Sequence, residues 1–342
     1  MLTLRGVILF FPAAISAVTI SDAKIESWLD DENSSKWLTT REAGQVYGIP
    51  IDVGAFYTIY GNAELMKNAG ISTDNPPATM EVWIEDMKKI QSLTETPGFV
   101  FSGQAFSLYE NWFANFVDYM KNGPEEYTRF MTRESKMSDP EHMHVAQFLE
   151  DLAVSGNILA GSATLGIDEA DQAFVNGQAS YLLGGTFTFA SLQAMGMSID
   201  QIVSFRIPAY EGSKVPDATV SPFPLVMLNV NTNGKSVDKA IEFVKFMTSD
   251  EGMTLYANNA FDIPAISIKD TSKLNSVIKS MLSSLSTDSN WWSENSAISS
   301  KVFSNAEWQV FHEGKQRIVL GESTAEEVAA SFDKAAEIEK NK

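Results

Sequence analysis

The chain has 342 residues, of which 44% are hydrophobic and 20% are charged, and it carries a formal net charge of −19 and no cysteine. This length and composition predict two globular domains, each large enough to bury its own core. The acidic balance excludes a basic face for nucleic acid or anionic membranes, and the lack of cysteine excludes disulfides, thiolate metal sites and a cysteine nucleophile.

The first thirty residues support two alternatives. Arg5 followed by the apolar run 6–18 has the layout of a secretory signal peptide, and this run is too short to span a membrane. Alternatively, residues 7–11 form a buried parallel strand and a helix follows over 13–28. The local sequence alone leaves both alternatives open.

Two helices are predicted before the middle of the chain. The apolar spacing indicates one helix over 63–69 and another over 80–93. In the second helix we expect Val82, Met87 and Ile90 to face inward.

A cluster of aromatic, acidic and amide residues follows at Tyr109, Glu110, Asn111 and Trp112. Such a mixture suits a sugar, because its C–H faces stack on aromatic rings while its hydroxyl groups need charged or amide partners. The alternative is the start of a helix with Trp112 and Phe116 as core anchors. We assign Phe116 to the core and keep both interpretations for Trp112.

His142 and His144 are the one close pair of histidines. Two residues apart, they would lie on different sides of a helix rather than on the i, i+4 face that a metal site uses. We therefore predict that both are surface residues and that the chain holds no metal.

The segment 174–187 joins the end of a helix, a short buried strand and the start of a new helix. Gly177 ends a helix, 179–183 reads as a strand, and the Gly184-Gly185 pair breaks it in front of Thr186, whose hydroxyl can cap a helix over 187–195. Paired glycines at the carboxyl end of a strand let a ligand approach the backbone closely. An ordinary strand-to-helix turn is the alternative.

The same segment carries a family resemblance. Its pattern of Phe, Asn-Gly, a small-residue strand, Gly-Gly and an aromatic resembles the signature of extracellular solute-binding proteins of carbohydrate ABC transporters, the group that includes maltose-binding proteins. Four more segments resemble this family in the same order, at 44–62, 63–83, 236–265 and 308–328.

The resemblance implies an α/β fold of the two-lobed periplasmic-binding-protein type (type II). Each lobe would hold a mostly parallel sheet flanked by helices, with hinge strands between the lobes. We expect 1–108 and 224–288 to form lobe 1, and 109–223 and 289–342 to form lobe 2. It also favours the strand and helix over 7–28, so that the chain would begin part-way into lobe 1, without the family's export signal.

The resemblance further implies a binding protein that performs no chemistry and holds no cofactor. A carbohydrate would lie in a cleft between the lobes, and transmembrane permease subunits would receive it from a monomer outside the cytoplasm, in the periplasm or at the cell surface. In the family, the aromatic after the glycines stacks on the sugar, and this position is Phe187. The expected ligand-binding residues are Tyr109, Glu110, Asn111, Trp112, Gly185, Thr186, Phe187, Asp262 and Trp308.

Two other functions stay open at this stage. One is a truncated homologue that no longer binds a ligand. The other is a glycosidase with paired carboxylates, although nothing in the local sequence selects such a pair from the 44 acidic residues.

Overall fold

A computed structural model of the chain describes residues 41–42, 45–46, 48–54, 58–105, 108–220, 223–224, 226–231, 233–279, 291–292 and 305–341. The strand and helix predicted over 7–28 lie outside these residues. The chain forms two compact units, a smaller one from Met1–Ala55 and Pro222–Thr287, and a larger one from Phe56–Ser221 and Asp288–Lys342.

The strands are β1 (Arg41–Glu42), β2 (Gln45–Val46), β3 (Ile49–Pro50), β4 (Asp52–Gly54), β5 (Thr58–Asn62), β6 (Phe99–Val100), β7 (Tyr181–Gly184), β8 (Ile202–Arg206), β9 (Thr219–Val220), β10 (Phe223–Pro224), β11 (Met227–Leu228), β12 (Ile263–Pro264) and β13 (Trp291–Trp292). The α-helices are α1 (Ala63–Asn68), α2 (Met80–Thr94), α3 (Phe116–Met131), α4 (His144–Val154), α5 (Ile167–Val175), α6 (Thr188–Ala194), α7 (Val237–Met247), α8 (Asp250–Ala260), α9 (Asn305–Val319) and α10 (Ala325–Lys340). A π-helix spans Glu110–Asn115, and short 3₁₀ helices span Ile199–Gln201 and Thr271–Lys273.

The larger unit is built on a four-stranded sheet with the order β6-β7-β5-β8. β6 and β7 are parallel, whereas β5 is antiparallel to both of its neighbours, so β6, β7 and β8 run in one direction. Thr58 pairs with Gly184 on one side and with Arg206 on the other. The three parallel strands therefore end at the same edge, which we call the carboxyl edge.

Aromatic side chains fill the core against this sheet. The Trp83 ring stacks on Phe148 at 5.8 Å between centroids and meets Phe99 and Tyr181 edge-on at 5.5 and 5.9 Å. All four side chains are buried. Because rings of this size bury large apolar areas, this cluster anchors α2 and α4 to the sheet.

The buried face of α2 differs in one position from the predicted face. Met87 and Ile90 are fully buried as expected, but Val82 is 39% exposed and Trp83 takes the buried position instead. Trp83, Met87 and Ile90 follow the i, i+4, i+7 spacing of one helical face, and Val82 lies about 100° away from it. The prediction for Val82 was therefore wrong.

The helix α3 is interrupted in its middle. Gly123 has φ 76° and ψ 172°, outside the helical region, and Pro124 follows it. The positive φ suits glycine, and the proline has no N–H to continue the hydrogen bonds of the first half. The break places Asp118 and Glu126 on two separate helical segments.

The last two helices complete the larger unit. α9 and α10 pack on each other, and both pack on α4. Phe311 from α9 and Phe332 from α10 are fully buried and meet at 6.3 Å. The Thr324 hydroxyl accepts a hydrogen bond from the N–H of Glu327 at 3.2 Å and so caps the last helix.

The smaller unit contains short antiparallel pairings, β10-β4-β12, β11-β3 and β1-β2. Val244 from α7 and Met253 from α8 are buried in its core. Phe246, two residues after Val244 on α7, is 43% exposed. Two positions along a helix turn the side chain by about 200°, so burial of Val244 directs Phe246 away from the core.

The division of the chain differs at its first boundary from the expected lobes. We expected the first crossing at residues 108/109, but β5 and β6 pair with β7 in one sheet and the larger unit begins at residue 56. The later divisions of the chain fall at 221/222 and 287/288. Among the described helices, none combines the length and hydropathy that a membrane span requires.

Candidate functional site

The turn between β7 and α6 lies at the carboxyl edge and depends on glycine. A Cβ atom at Gly184 would lie 2.5 Å from Oγ1 of Thr188, so the position has no room for a side chain. The N–H of Gly185 donates a hydrogen bond to that hydroxyl at 3.2 Å, and the Tyr60 hydroxyl donates one to the Gly185 carbonyl at 2.7 Å. These contacts hold the backbone of the turn in one conformation.

Two residues that the sequence selected complete the turn. Thr186 is buried, and its carbonyl accepts a hydrogen bond from the N–H of Phe189 at 3.3 Å. Phe187 is half-buried and directly precedes α6. The hydroxyl that accepts a backbone N–H at this turn belongs to Thr188, whereas the sequence favoured Thr186 for that role.

A second predicted site segment leaves the same edge. The chain continues from β6 through residues 101–105 and reaches the π-helix after Tyr109. Tyr109 is fully buried, stacks on Phe113 at 5.1 Å and donates its hydroxyl to the carbonyl of Val145 at 2.8 Å. Its side chain is thus part of the core.

Glu110 is the first residue of the π-helix and lies in a buried charge cluster. Its Oε1 is 2.8 Å from Nδ1 of His312 and 2.7 Å from Nζ of Lys315, both from α9. Burial opposes ionisation of the carboxyl, but the hydrogen bond of His312 and the charge of Lys315 outweigh it and lower the pKa of Glu110. The second oxygen, Oε2, is buried without a hydrogen-bond partner among the described residues.

His312 and Lys315 are not among the residues predicted from the sequence. A signal existed, because Lys315 is four residues after Phe311 and three before Ile318, on the face of α9 that is buried. A lysine at an apolar position of a helix indicates a buried partner, since an isolated buried ammonium is too costly. The partner itself is distant in the sequence and cannot be identified from that pattern.

The other predicted ligand-binding residues have different surroundings. The side chains of Asn111 and Trp112 lie outside the described part of the structure, although their backbone belongs to the π-helix. Trp308 is only 8% exposed and packs against Phe332 and Phe311 at 5.5 and 6.3 Å, in the core of the C-terminal helices.

Asp262 belongs to the smaller unit. It is half-buried, directly precedes β12 and interacts with the hydroxyl of Tyr256. That hydroxyl also donates a hydrogen bond to Asp52 at 2.6 Å. The described residues therefore place two predicted segments, Tyr109–Trp112 and Gly185–Phe187, after neighbouring strands of one sheet, and Asp262 in the other unit.

The two close histidines are buried, so their predicted surface position was wrong. His142 Nδ1 lies 2.8 Å from Oδ1 of Asp118, and the ring stacks on Phe130 at 4.6 Å. His142 precedes α4, so the helical spacing argument does not apply to the pair. Burial lowers the pKa of His144 to about 4. The described residues contain no cluster of side chains suited to a metal ion.

Solved structures with a similar fold are solute-binding proteins. A chitin oligosaccharide binding protein has a TM-score of 0.73 and 19% identity, over 95% of this chain and 80% of the other. Maltose-bound MalE3 of T. maritima has a TM-score of 0.67 and 18% identity over the same shares. RafE in complex with raffinose has a TM-score of 0.68 and 18% identity, again over 95% and 80%.

These similarities define the class of the fold, which is the α/β fold of two-lobed solute-binding proteins. A profile of the bacterial extracellular solute-binding protein family matches residues 11–254, and the chain belongs to that family. A comparison with curated proteins gives no match.

Proposed function

We propose that this protein is the substrate-binding component of an ABC transporter, which captures a sugar or oligosaccharide and delivers it to a membrane permease. Its family consists of extracellular solute-binding proteins. The structural relatives named above bind chitin oligosaccharide, maltose and raffinose, which supports a carbohydrate as the ligand class.

The observation that carries the proposal is the turn at the carboxyl edge. Phe187 presents a partly exposed ring there, directly after a glycine backbone that the Tyr60 hydroxyl and Thr188 hold in place. Ligands of open α/β sheets bind beyond the carboxyl ends of the strands, and a sugar stacks its C–H face on an aromatic ring. The neighbouring backbone groups would bind its hydroxyls.

Among the predicted stacking residues, Phe187 therefore has the strongest support. Trp308 is buried in the core between the C-terminal helices, whereas Trp112 stays a prediction because its side chain is not described. We further propose that the protein acts as a monomer outside the cytoplasm and releases its sugar unchanged.

Binding can be tested on the purified chain with maltose, raffinose and chitin oligosaccharides. We expect a saturable change in tryptophan fluorescence and a higher Tm with at least one of them, because a ligand that binds only the folded state stabilises it. Recovery of the unchanged sugar from the complex would separate binding from turnover. A folded protein that responds to none of the sugars would contradict the carbohydrate proposal.

The turn is tested by Phe187→Ala. We expect at least a tenfold loss of affinity, which corresponds to about 1.4 kcal/mol, with little change in the Tm of the unliganded protein. Phe246→Ala is the matched control, because it removes a partly exposed ring from the smaller unit. Equal affinity of Phe187→Ala and wild type would show that the sugar does not stack at this turn.

A further inference from the structure

The segment between β6 and the π-helix is attached to α9 by several polar contacts. Lys315 Nζ lies 2.7 Å from Oε1 of Glu110 and 3.4 Å from the carbonyl of Ala105. Gln316 donates its amide N–H to the carbonyl of Gly103 at 3.1 Å. Two consecutive residues of α9 therefore bind both ends of the segment that leads from the sheet into the π-helix.

The central contact is buried completely. Both Glu110 and Lys315 have no exposed surface, and burial opposes the charge of each group. Removal of two charges from water costs several kcal/mol per ion, so an apolar pair of similar volume often stabilises a fold as well or better. Stability alone is thus a poor reason for an ion pair at this position.

The hydrogen-bonded ion pair of Glu110 and Lys315 fixes the position of the backbone that carries Glu110, whereas an apolar contact would not fix it in one direction. The N–H of Ala114 donates to the carbonyl of Tyr109 at 2.8 Å, which is the i to i+5 hydrogen bond of a π turn. Such turns are rare in proteins overall, and those that do occur often lie at functional sites. Because Glu110 is the first residue of this turn, its bond to Lys315 sets the position from which the turn starts.

From these contacts we propose that Lys315, with Gln316, is a positioning residue for the sugar site, which holds the π-helix Glu110–Asn115 in its binding conformation. The inference rests on the proposed function, because the turn carries Asn111 and Trp112. It also gives Glu110 a role different from the predicted contact with the ligand. Glu110 acts through the helix, since its side chain is fully buried and its Oε1 is held by His312 and Lys315 of α9.

The test compares stability with affinity in two variants. Lys315→Met leaves a buried carboxylate without its ammonium, so both the Tm and the sugar affinity should fall. In the double variant Glu110→Met with Lys315→Met, the Tm should rise above that of Lys315→Met although His312 loses its hydrogen bond to Glu110, whereas the Kd should stay at least tenfold higher than in the wild type. A double variant with wild-type Kd would show that the pair is only structural and would overturn the proposal.

Gln316→Leu provides a second test that leaves the buried charges in place. We expect a folded protein with a Tm near that of the wild type and a Kd that is several-fold higher. An unchanged Kd in this variant would also overturn the proposal, even if the double variant fails to fold. The exposed pair Lys239 and Glu242, with atoms 2.6 Å apart in the smaller unit, provides the control, and its double methionine variant should change neither quantity.

The same measurements separate this inference from the proposed function. If the wild-type protein binds no sugar, the proposed function fails, and the positioning role of Lys315 fails with it because there is no sugar site to position. If the wild type binds and the variants of Lys315 and Gln316 bind equally well, only the positioning role fails.

Discussion

Arg133 and Glu307 form a bidentate ion pair between the loop after α3 and the helix α9. Nε lies 2.7 Å from Oε1 and Nη2 lies 2.9 Å from Oε2. The Glu307 side chain is fully buried and that of Arg133 is mostly buried. We expect Arg133→Met to lower the free energy of unfolding by about 3–5 kcal/mol, because it leaves a buried carboxylate without its cation. Urea unfolding measures this loss.

Two further variants test that explanation. Arg129→Met removes a partly exposed partner of Glu126 and should cost less than about 1 kcal/mol. The double variant Arg133→Met with Glu307→Met should be more stable than Arg133→Met alone, because it also removes the buried carboxylate that has lost its arginine. A double variant that is less stable than the single one would contradict the argument.

The turn at the carboxyl edge should not tolerate a side chain at Gly184. In Gly184→Ala, the Cβ atom would lie 2.5 Å from Oγ1 and 2.9 Å from Cβ of Thr188, so the backbone must shift. We expect a loss of about 1–3 kcal/mol in the free energy of unfolding and weaker sugar binding. Gly166→Ala is the control, since its Cβ atom would meet nothing nearer than 3.3 Å.

Trp308 and Phe187 should differ in what their removal changes. Trp308→Ala opens a cavity beside Phe311 and Phe332, so we expect a loss of about 3–5 kcal/mol in the free energy of unfolding. Measured where the variant is folded, its sugar affinity should stay close to that of the wild type. A selective loss of affinity with unchanged stability would instead assign Trp308 to the ligand.

His144 should make the protein less stable in acid. Burial is the main cause that lowers its pKa to about 4, whereas an unfolded histidine has a pKa of about 6.5. Between these values the unfolded chain binds a proton that the folded chain does not. Stability is therefore lost as the pH falls from 6.5 to 4, by about 3 kcal/mol for this group. His144→Gln should flatten this slope in unfolding curves.

His142 should act in the opposite direction. Burial favours the neutral ring, but the hydrogen bond and charge of Asp118, with a smaller effect of Glu126, outweigh burial and raise the pKa of His142. The folded protein then keeps a proton that the unfolded chain loses above its own pKa of about 6.5. The stability from this group is complete below pH 6.5 and is lost as the pH rises through the folded pKa.

The change His142→Gln should therefore reduce the loss of stability above pH 6.5 and leave the acid slope in place. The difference from the wild type at each pH isolates the histidine from other titrating groups, including Lys121 and Tyr210, which face His144. An unchanged dependence of stability on pH above 6.5 in His142→Gln would show that the His142 ring, held by Asp118 and Glu126, is not the group that loses its proton in this range.

Local sequence patterns predicted the bounds of helices and strands closely, but they did not predict which distant residues pack against them. The second helix was expected over 80–93 and is observed at Met80–Thr94, because its N-cap and apolar spacing are local properties. The burial of Trp308 and His142 depends on Phe332 and Asp118, which are distant in the sequence. The place of β5 and β6 in one sheet with β7 is likewise a long-range pairing.

The candidate site was predictable where it depends on backbone chemistry. Paired glycines after a short strand indicated the turn before Phe187, and the structure shows why Gly184 is required there. The role of α9 was not predictable, because the ion pair of Lys315 joins segments that no local pattern connects.

The contact between α9 and Glu110 also orders events during synthesis of the chain. His312 and Glu110 are 202 residues apart, and the smaller unit has received its last segment, which ends at residue 287, before α9 is made. Until α9 emerges from the ribosome, the carboxylate of Glu110 lacks both His312 and Lys315, and the face of α4 that packs on α9 and α10 is uncovered. The larger unit therefore starts after the smaller one in the nascent chain and is also completed after it, and a chain interrupted before residue 305 exposes a surface that chaperones recognise.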